Sequence, residues 1–453
     1  RNAIDMIANM IFTNQITKII IDLTKKINER RKNMNQTNRY DVIVAGGGSA
    51  GVAAALGALK AGAKVLLIER GGSLGGQATN ANVASYCGFY TRGENARQVV
   101  KGIGQEVLEK LKEVGIHTVL KKSSTGNSII TFDEEELKYA LDCLTEDYGL
   151  EVLLHCRVIS ARKNEAGDRI TSICCVDDEQ EYWFEADQFV DATGDANLAH
   201  QAGAEIRFGD GQGHGYLSTK MMRIDHIDPS VQFKPDILEK VFKQAKADGY
   251  QHLTKESGIV FRTHEDTAYA ILPSVFVTSM DAATLTACER DTRRQCQDYM
   301  KAFRQYLPGM ENARLVSTGA QLGLRDTRHI IGDYMITAED VMDAVKQEDA
   351  VACGAWPCEM HNKLTSMLSY QFIKDDDYYS IPLRAITSKN IHNLYAAGRT
   401  VSADPVAFAS VRVMGTGFAT GHAAGVAAAC KAKDPNAGYP EICAELLRQN
   451  AVL

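Results

Sequence analysis

The chain has 453 residues, too many for one small core, and this length predicts two interleaved domains. Its 45% hydrophobic and 24% charged content is that of a soluble globular protein, and a formal charge of −7 gives no reason for nucleic acid or an anionic membrane as partner. The 11 cysteines hold no C-x-x-C pair and no iron–sulfur or zinc spacing, so neither metal reading is supported; reduced thiols in a cytoplasm are the expectation.

Residues 1–33 differ in character from the rest of the chain. Ile4, Ile7, Ile11, Ile16 and Ile19 to Ile21 are interrupted by Asn9, Thr13, Asn14, Gln15 and Lys18, which is too polar for a spanning helix. No small-residue cleavage site follows a continuous apolar core. The segment reads as an accessory or non-native leader, a basic amphipathic helix ending in "KKINERRKN", with the natural start near Met34.

The next stretch, "YDVIVAGGGSAGVAAALGALKAGAKVLLIER" from Tyr40 to Arg70, is strongly patterned. Val42 to Val44 predict a strand, Ala53 to Leu59 a helix closed by Gly62, and Lys64 to Ile68 a second strand. Gly46, Gly48 and Gly51 then occupy G-x-G-x-x-G spacing between strand and helix. There they permit a tight turn, let the backbone approach a pyrophosphate and let helix pack on strand, with the helix N-terminus facing the phosphates. Glu69, beside Arg70 at the end of the second strand, stands where a carboxylate reaches an adenosine ribose hydroxyl. The unit predicts a dinucleotide site and leaves FAD and NAD open.

Past Arg70, "GGSLGGQATNANVASYCGFY" is too glycine-rich for a stable helix. Gly75 and Gly76 predict either close approach of a ligand to the backbone or a mobile loop. Gln98 to Val114 predicts an amphipathic helix, "IHTVL" and "SIITFD" predict strands, and Asp133 is placed to N-cap a helix over Glu134 to Glu146. Strand-like runs at 150–163, 169–178 and 181–195 return the chain to its first sheet. From Ala204 to Ser380 the chain is more helical and charged, with helices predicted over Asp236 to Ala247, Ala282 to Tyr306 and Ala338 to Lys346. "NLYAAGRTVSADP" predicts one more buried strand and loop, followed by a small-residue helix over Gly415 to Lys431.

Three segments far apart, the opening unit, "FVDATGD" and "NLYAAGR", favour a large flavoprotein over a dehydrogenase that completes its NAD site in one contiguous domain. With "VDATGDANLA", "GLRDTRHIIGDYMIT", "EMHN", "YYSIPLRAI" and "NLYAAGRTVSADPVAFASVRVMGTGFATGHAAG", most of Tyr40 to Lys431 resembles the FAD-dependent oxidoreductase family of the glutathione-reductase-like, two-dinucleotide-binding type. It is distantly similar to the succinate dehydrogenase and fumarate reductase flavoproteins. The resemblance implies an α/β fold: a Rossmann-like FAD-binding domain assembled from the discontinuous segments 40–203 and 380–432, with an inserted α+β substrate domain over 204–379. It also implies Thr193, Gly194 and Asp195 against the FAD, Gly398 and Arg399 at its diphosphate and ribityl region, and a helix starting near Gly415 to Gly417 with its N-terminus at the flavin ring. A positive helix end there stabilises the anionic reduced flavin. FAD held without a covalent bond is the expectation. The cysteine clusters of the iron–sulfur relatives are missing, and no second G-x-G-x-x-G follows a strand, so the electron donor or acceptor stays open.

For the chemistry, Arg325 with Arg328 is either a bidentate carboxylate clamp or a structural network with Asp326 and Asp333. Arg412 and Arg384, near the C-terminal motif, are candidates to hold an anionic substrate as in the fumarate-reducing relatives. His361 is the candidate acid or base, because imidazole titrates near neutral pH; a hydrogen-bonded structural histidine is the plainer reading. Cys353 and Cys358 lack redox-disulfide spacing and read as core thiols. The expected function is two-electron (hydride) transfer between flavin and a small organic substrate whose anionic group the arginines orient. A flavin monooxygenase and a flavoprotein subunit of an electron-transfer complex are the alternatives.

Overall fold

The computed structural model describes residues 16–22, 24–25, 39–115, 118–123, 125–361 and 369–453. Of the expected leader only 16–22 and 24–25 fall among them, helical and exposed, and no described helix is long and apolar enough to cross a membrane.

The β-branched run opens the strand Arg39–Ala45, buried throughout from Val42 onward as a parallel strand covered on both faces must be. It pairs in parallel with Val65–Ile68, Ile43 opposite Leu66, and on its other side with Glu181–Asp191, Ile43 opposite Phe189. The full sheet runs Glu151–Leu153, Val65–Ile68, Arg39–Ala45, Glu181–Asp191, Ile170–Val176, Arg157–Lys163, with Leu394–Ala396 also parallel to Glu181–Asp191. Glu181–Asp191 therefore serves two purposes: its first half closes an antiparallel meander, and its second half carries the parallel pairings. The buried Asn393 fixes the late strand beside the meander, since its amide donates to the carbonyl oxygen of Ile170 (2.8 Å) and accepts that residue's N–H (2.9 Å).

The helices Ser49–Lys60 and Met414–Lys433 pack against each other at backbone distance. A β-carbon at Gly421 would lie 2.0 Å from the carbonyl oxygen of Ala50, and one at Gly425 1.9 Å from that of Ala54. Met414–Lys433 is buried along nearly its whole length, which explains a helix written in small residues without an apolar stripe.

Several expected elements have different bounds. The run 150–163 is two strands, because His155 adopts φ 55° and donates its N–H to the carbonyl oxygen of Gly71. The helix expected from Gln98 starts at Ile103, after Gly102 in a positive-φ conformation, and the helix expected to Lys346 ends at Met342, just before Ala344 at φ 53°. Of "IHTVL", residues 116 and 117 lie outside the described residues, and the strand is Val119–Lys122. Asp133 does cap its helix, accepting the N–H groups of Glu135 and Glu136.

Two smaller sheets are separate from the main one. Ser85–Cys87, Ser128–Thr131 and Val119–Lys122 form an antiparallel trio, and Ile259–Arg262, Ala268–Ile271, Met222–Asp225 and Arg314–Thr318 form an antiparallel four-stranded sheet. Helices Pro235–Ala247 and Ala282–Tyr306 join the four-stranded sheet in a core of its own, around Phe242, Tyr299 and Phe303. Ile330, Val341, Cys353 and Cys358 instead join the principal core. Burial pushes the Cys353 and Cys358 thiols up to about 12, which keeps both protonated.

Candidate functional site

Four parallel strands end at one place. Arg39–Ala45 runs into Gly46, Val65–Ile68 into Glu69, Glu181–Asp191 into Ala192 and Thr193, and Leu394–Ala396 into Ala397 and Gly398; all these residues line one cavity of about 610 Å³. Ligands of open α/β sheets bind at this carboxyl edge. Gly46 turns there at φ 101°, where a β-carbon would lie 2.4 Å from the carbonyl oxygen of Ala192. Gly51 is off the cavity: a β-carbon on it would sit 1.7 Å from the Gly46 carbonyl oxygen, so it seats the helix on the strand.

The second glycine loop is bonded to the first. Gly75 donates its N–H to the carbonyl oxygen of Gly47 (2.8 Å), and a β-carbon on Gly76 would lie 2.7 Å from the Cα of Gly48. Gly46, Gly48, Gly75 and Gly76 thus border the cavity with backbone alone. Glu69, buried at their junction, accepts the N–H groups of Gly47 (2.6 Å) and Gly71 (2.7 Å). Each carboxylate oxygen has a lone pair left for a hydroxyl. Arg70, also on the lining, reaches Gln321 (3.3 Å).

Asp191 organises the third segment. Burial pushes its carboxyl up, opposed by the hydrogen bonds from Thr193 Oγ1 (2.6 Å) and the backbone N–H of Ala199 (2.8 Å). The turn it fixes brings Gly194, at φ 77°, under the guanidinium of Arg399, which a β-carbon would meet at 2.5 Å. Asp195, also buried, accepts from Arg399 Nη2 (3.1 Å) and Thr327 Oγ1 (2.9 Å). The structure separates the expected arginine pair. Arg328 donates to the carbonyl oxygen of Asp195 (2.9 Å) and to Asn197, away from the cavity, and Asp326 pairs with His329 (2.7 Å) instead of an arginine. Arg325 alone reaches the lining.

The helix Met414–Lys433 begins at the cavity, where Val413, Met414 and Gly417 line it beside Gly398 and Arg399. Gly415 does not. A β-carbon there would lie 2.3 Å from the carbonyl oxygen of Cys87, so Gly415 lets the strand Ser85–Cys87 cross the helix start.

A second group of side chains lines the same cavity: Arg325, Trp356, Glu359, His361, Tyr370 and Arg412. Glu359 is their hub. It accepts from Tyr370 Oη (3.0 Å) and Trp356 Nε1 (3.1 Å), with His361 Nε2 at 3.5 Å and Arg412 Nη2 at 3.9 Å. Burial alone would raise its carboxyl, but the hydrogen bond from His361, then the charge of Arg412 and the hydrogen bond from Trp356, outweigh burial and hold it ionised. Burial, then the charge of Arg325, pushes the His361 imidazole down to about 3 against the opposing pull of Glu359, so it is neutral at neutral pH. Arg325 Nη1 donates to Thr219 Oγ1 (2.6 Å) and to the carbonyl oxygen of Leu217 (2.5 Å). Burial, then the charge of Arg325, also pushes the Lys255 ammonium down to about 7. Arg384 is elsewhere, exposed and paired with Asp349 (3.0 Å).

A family model described as FAD dependent oxidoreductase matches residues 41–441. The chain belongs to that family. No curated protein matches it. Among solved structures, a geranylgeranyl bacteriochlorophyll reductase-like protein from Thermoplasma acidophilum is similar at 12% identity and a TM-score of 0.45, over 92% of this chain and 85% of that one. The anhydrotetracycline hydroxylase OxyS from Streptomyces rimosus is similar at 11% identity and a TM-score of 0.44, over 91% and 66%.

The cavity of this FAD-dependent oxidoreductase fits its cofactor on two observations. Gly48 and Gly417 open onto it, where a β-carbon would meet no protein atom nearer than 3.6 Å and would instead fill the cavity, and Ser49 Oγ and Arg399 Nη1 are buried on the lining with no partner in the protein. Among the described residues no three His, Cys, Asp or Glu side chains gather as a metal site. Sequence reasoning missed Glu359, Trp356 and Tyr370. Glu359 carried a signal, standing two residues before His361 inside "CEMHN". Tyr370 reaches it only because the hairpin Cys358–Met360 with Ser369–Gln371 pairs the two residues across its strands.

Proposed function

We propose that this flavoenzyme transfers two electrons between non-covalently held FAD and a small organic anion. Gly46, Gly48, Gly398 and Arg399 serve the diphosphate region, Glu69 the adenosine ribose, and Gly75, Gly76, Thr193 and Gly194 the backbone cradle, with Asp195 holding Arg399 in place. The segments 40–203 and 380–432 carry these residues, and 204–379 supplies most of the substrate face. When bound, FAD supplies the two-electron redox chemistry.

The observation that carries the reading is a charge imbalance. Two guanidiniums, Arg325 and Arg412, are buried around the single carboxylate of Glu359, which already accepts from Tyr370 and Trp356. A buried cation in excess of its acids is costly unless an anion completes it. Arg412 Nε and His361 Nδ1 are buried without a partner, donor and acceptor for that anion and its proton. With Nε2 turned to Glu359, neutral His361 keeps a lone pair on Nδ1. It takes up a proton there while Glu359 stabilises the charge that forms. Tyr370 donates its hydroxyl hydrogen bond to the same carboxylate.

Anaerobic titration of the purified holoprotein with a panel of small carboxylic acids, following the visible flavin band, tests the reading. Acids are expected to change the band's redox state, and Arg412→Met to abolish the response while FAD is retained. Turnover of neutral or cationic compounds with no response to acids would sink it. Oxygen-dependent hydroxylation would transfer the assignment to the monooxygenase alternative.

A further inference from the structure

We infer that the substrate anion is amphipathic, with one acidic head and an apolar body that lies on a wall built by the two smaller sheets. The inference rests on the anion reading above.

The wall begins with strand register. Ile259 stands opposite Ile271 and Phe261 opposite Tyr269, so the four side chains share one face of the ribbon Ile259–Arg262 with Ala268–Ile271. Phe261 stacks on Tyr269, ring centroids 5.7 Å apart and 18° between planes. Tyr269, Ala84 and Met221 are buried, and Val83, Phe261 and Ile271 pack on them half-covered, as a small apolar cluster separate from the two large cores. The uncovered side of that cluster faces the cavity: Val83, Met221, Phe261 and Ile271 are on its lining, with Ile259 on the same ribbon and Ile129 from the three-stranded sheet. A half-covered apolar cluster inside a cavity is surface that an apolar ligand desolvates.

The wall is fixed in place. Tyr269 Oη donates to the buried carboxylate of Glu134, which also takes Arg223 Nη1 (3.3 Å), and this ties the ribbon to the helix Glu134–Asp147. The cluster itself holds no charged side chain. Lys121 and Lys122 also line the cavity, but their ammonium groups donate to the carbonyl oxygens of Arg262 (3.5 Å) and Gly93 (2.8 Å). The body of the ligand would meet the hydrocarbon of this cluster, while its carboxylate meets Arg325 and Arg412. Apart from Val83, none of the wall residues lies in the glycine-rich segments or at the strand ends that form the nucleotide cradle.

The test is calorimetric binding of straight-chain monocarboxylates, from butanoate to dodecanoate, to the holoprotein, beside the matching alcohols and alkylamines. Affinity is expected to rise about three- to fourfold per methylene until the wall is covered. Alkylamines should not bind. Ile259→Asp, at a position 39% exposed and so tolerant of change, should flatten the chain-length slope, whereas Arg412→Met should weaken every acid alike. Acids that bind without length dependence overturn the amphipathic inference and leave the anion reading standing. Binding of alcohols or amines in place of acids, or of nothing, overturns both. A Phe261→Ala protein that loses FAD while keeping the wild-type slope would assign the wall to the cofactor and overturn the inference as well.

Discussion

Arg412 Nη2 donates to the carbonyl oxygen of Glu359 at 3.1 Å and lies 3.9 Å from that residue's carboxylate, so one guanidinium both fixes the hairpin and compensates its acid. Glu359→Gln keeps the shape and removes the charge, leaving Arg325 and Arg412 without a counter-ion. Breaking a buried pair by removing one partner costs about 3–5 kcal/mol. The expected outcome is a lower unfolding midpoint in denaturant. Combining it with Arg412→Met should recover part of the loss, with a coupling of about 0.5–3 kcal/mol in the double-mutant cycle. Simple additivity of the two losses would show that the residues do not act as a pair.

Two buried imidazoles make the fold sensitive to acid. His361 is pushed down to about 3 and His422, which meets Gln449 at 2.8 Å, to about 4, in both by burial first. In the unfolded chain a histidine binds its proton near pH 6.5, so between that value and the folded value the unfolded state holds more protons. Stability is therefore greatest above about pH 6.5 and falls as the pH drops toward 4. Thermal midpoints measured from pH 8 to 4 should show this fall, and His422→Gln should make it shallower. An unchanged slope in that variant would mean that His422 titrates normally in the folded protein.

Gly425 and Gly417 lie on one helix but face different constraints. A β-carbon on Gly425 would stand 1.9 Å from the carbonyl oxygen of Ala54, whereas one on Gly417 meets nothing nearer than the Cα of Gly398 at 3.8 Å. Gly425→Ala is expected to destabilise by about 1–3 kcal/mol or more through forced helix separation. Gly417→Ala should fold normally, since alanine favours the helix, and lose FAD affinity because the added methyl enters the cavity. Denaturant unfolding and fluorescence titration with FAD separate the two outcomes; equal loss of stability in both variants would contradict the packing argument.

Glu69 holds the two glycine loops together through Gly47 and Gly71. Glu69→Gln replaces one accepting oxygen with an amide that cannot accept, and hydrogen bonds to a charged group are worth about 1.5–3 kcal/mol. FAD affinity should fall at least about tenfold, with the unfolding midpoint lowered as well. An unchanged FAD dissociation constant would remove Glu69 from the cofactor site.

How much of the site is legible depends on distance along the chain. The role of Gly51 in seating the helix follows from spacing, because strand, glycines and helix lie within one short unit. Periodicity carries one helix ahead of Gly102 and another beyond Met342, since it does not register a single positive φ. Arg325 and Arg328 look equivalent in "GLRDTRHIIG", yet one lines the cavity and the other holds Asp195 and Asn197.

The sequence by itself determined the parallel strands around Gly46 and Glu69, the capped helix after Asp133 and the buried small-residue helix. Each depends on forces acting within a few turns or one strand: β-branched stiffness, helix propensity, glycine's freedom and a cap's hydrogen bond. Only the tertiary structure decided that Glu359, not His361, is the centre of the polar cluster, that Asn393 registers the last strand, and that Phe261 and Ile271 face the same cavity as Arg412. Those relations come from cross-strand register and from chain returns between distant segments. One-to-one pairings of that kind leave no periodic trace along the chain.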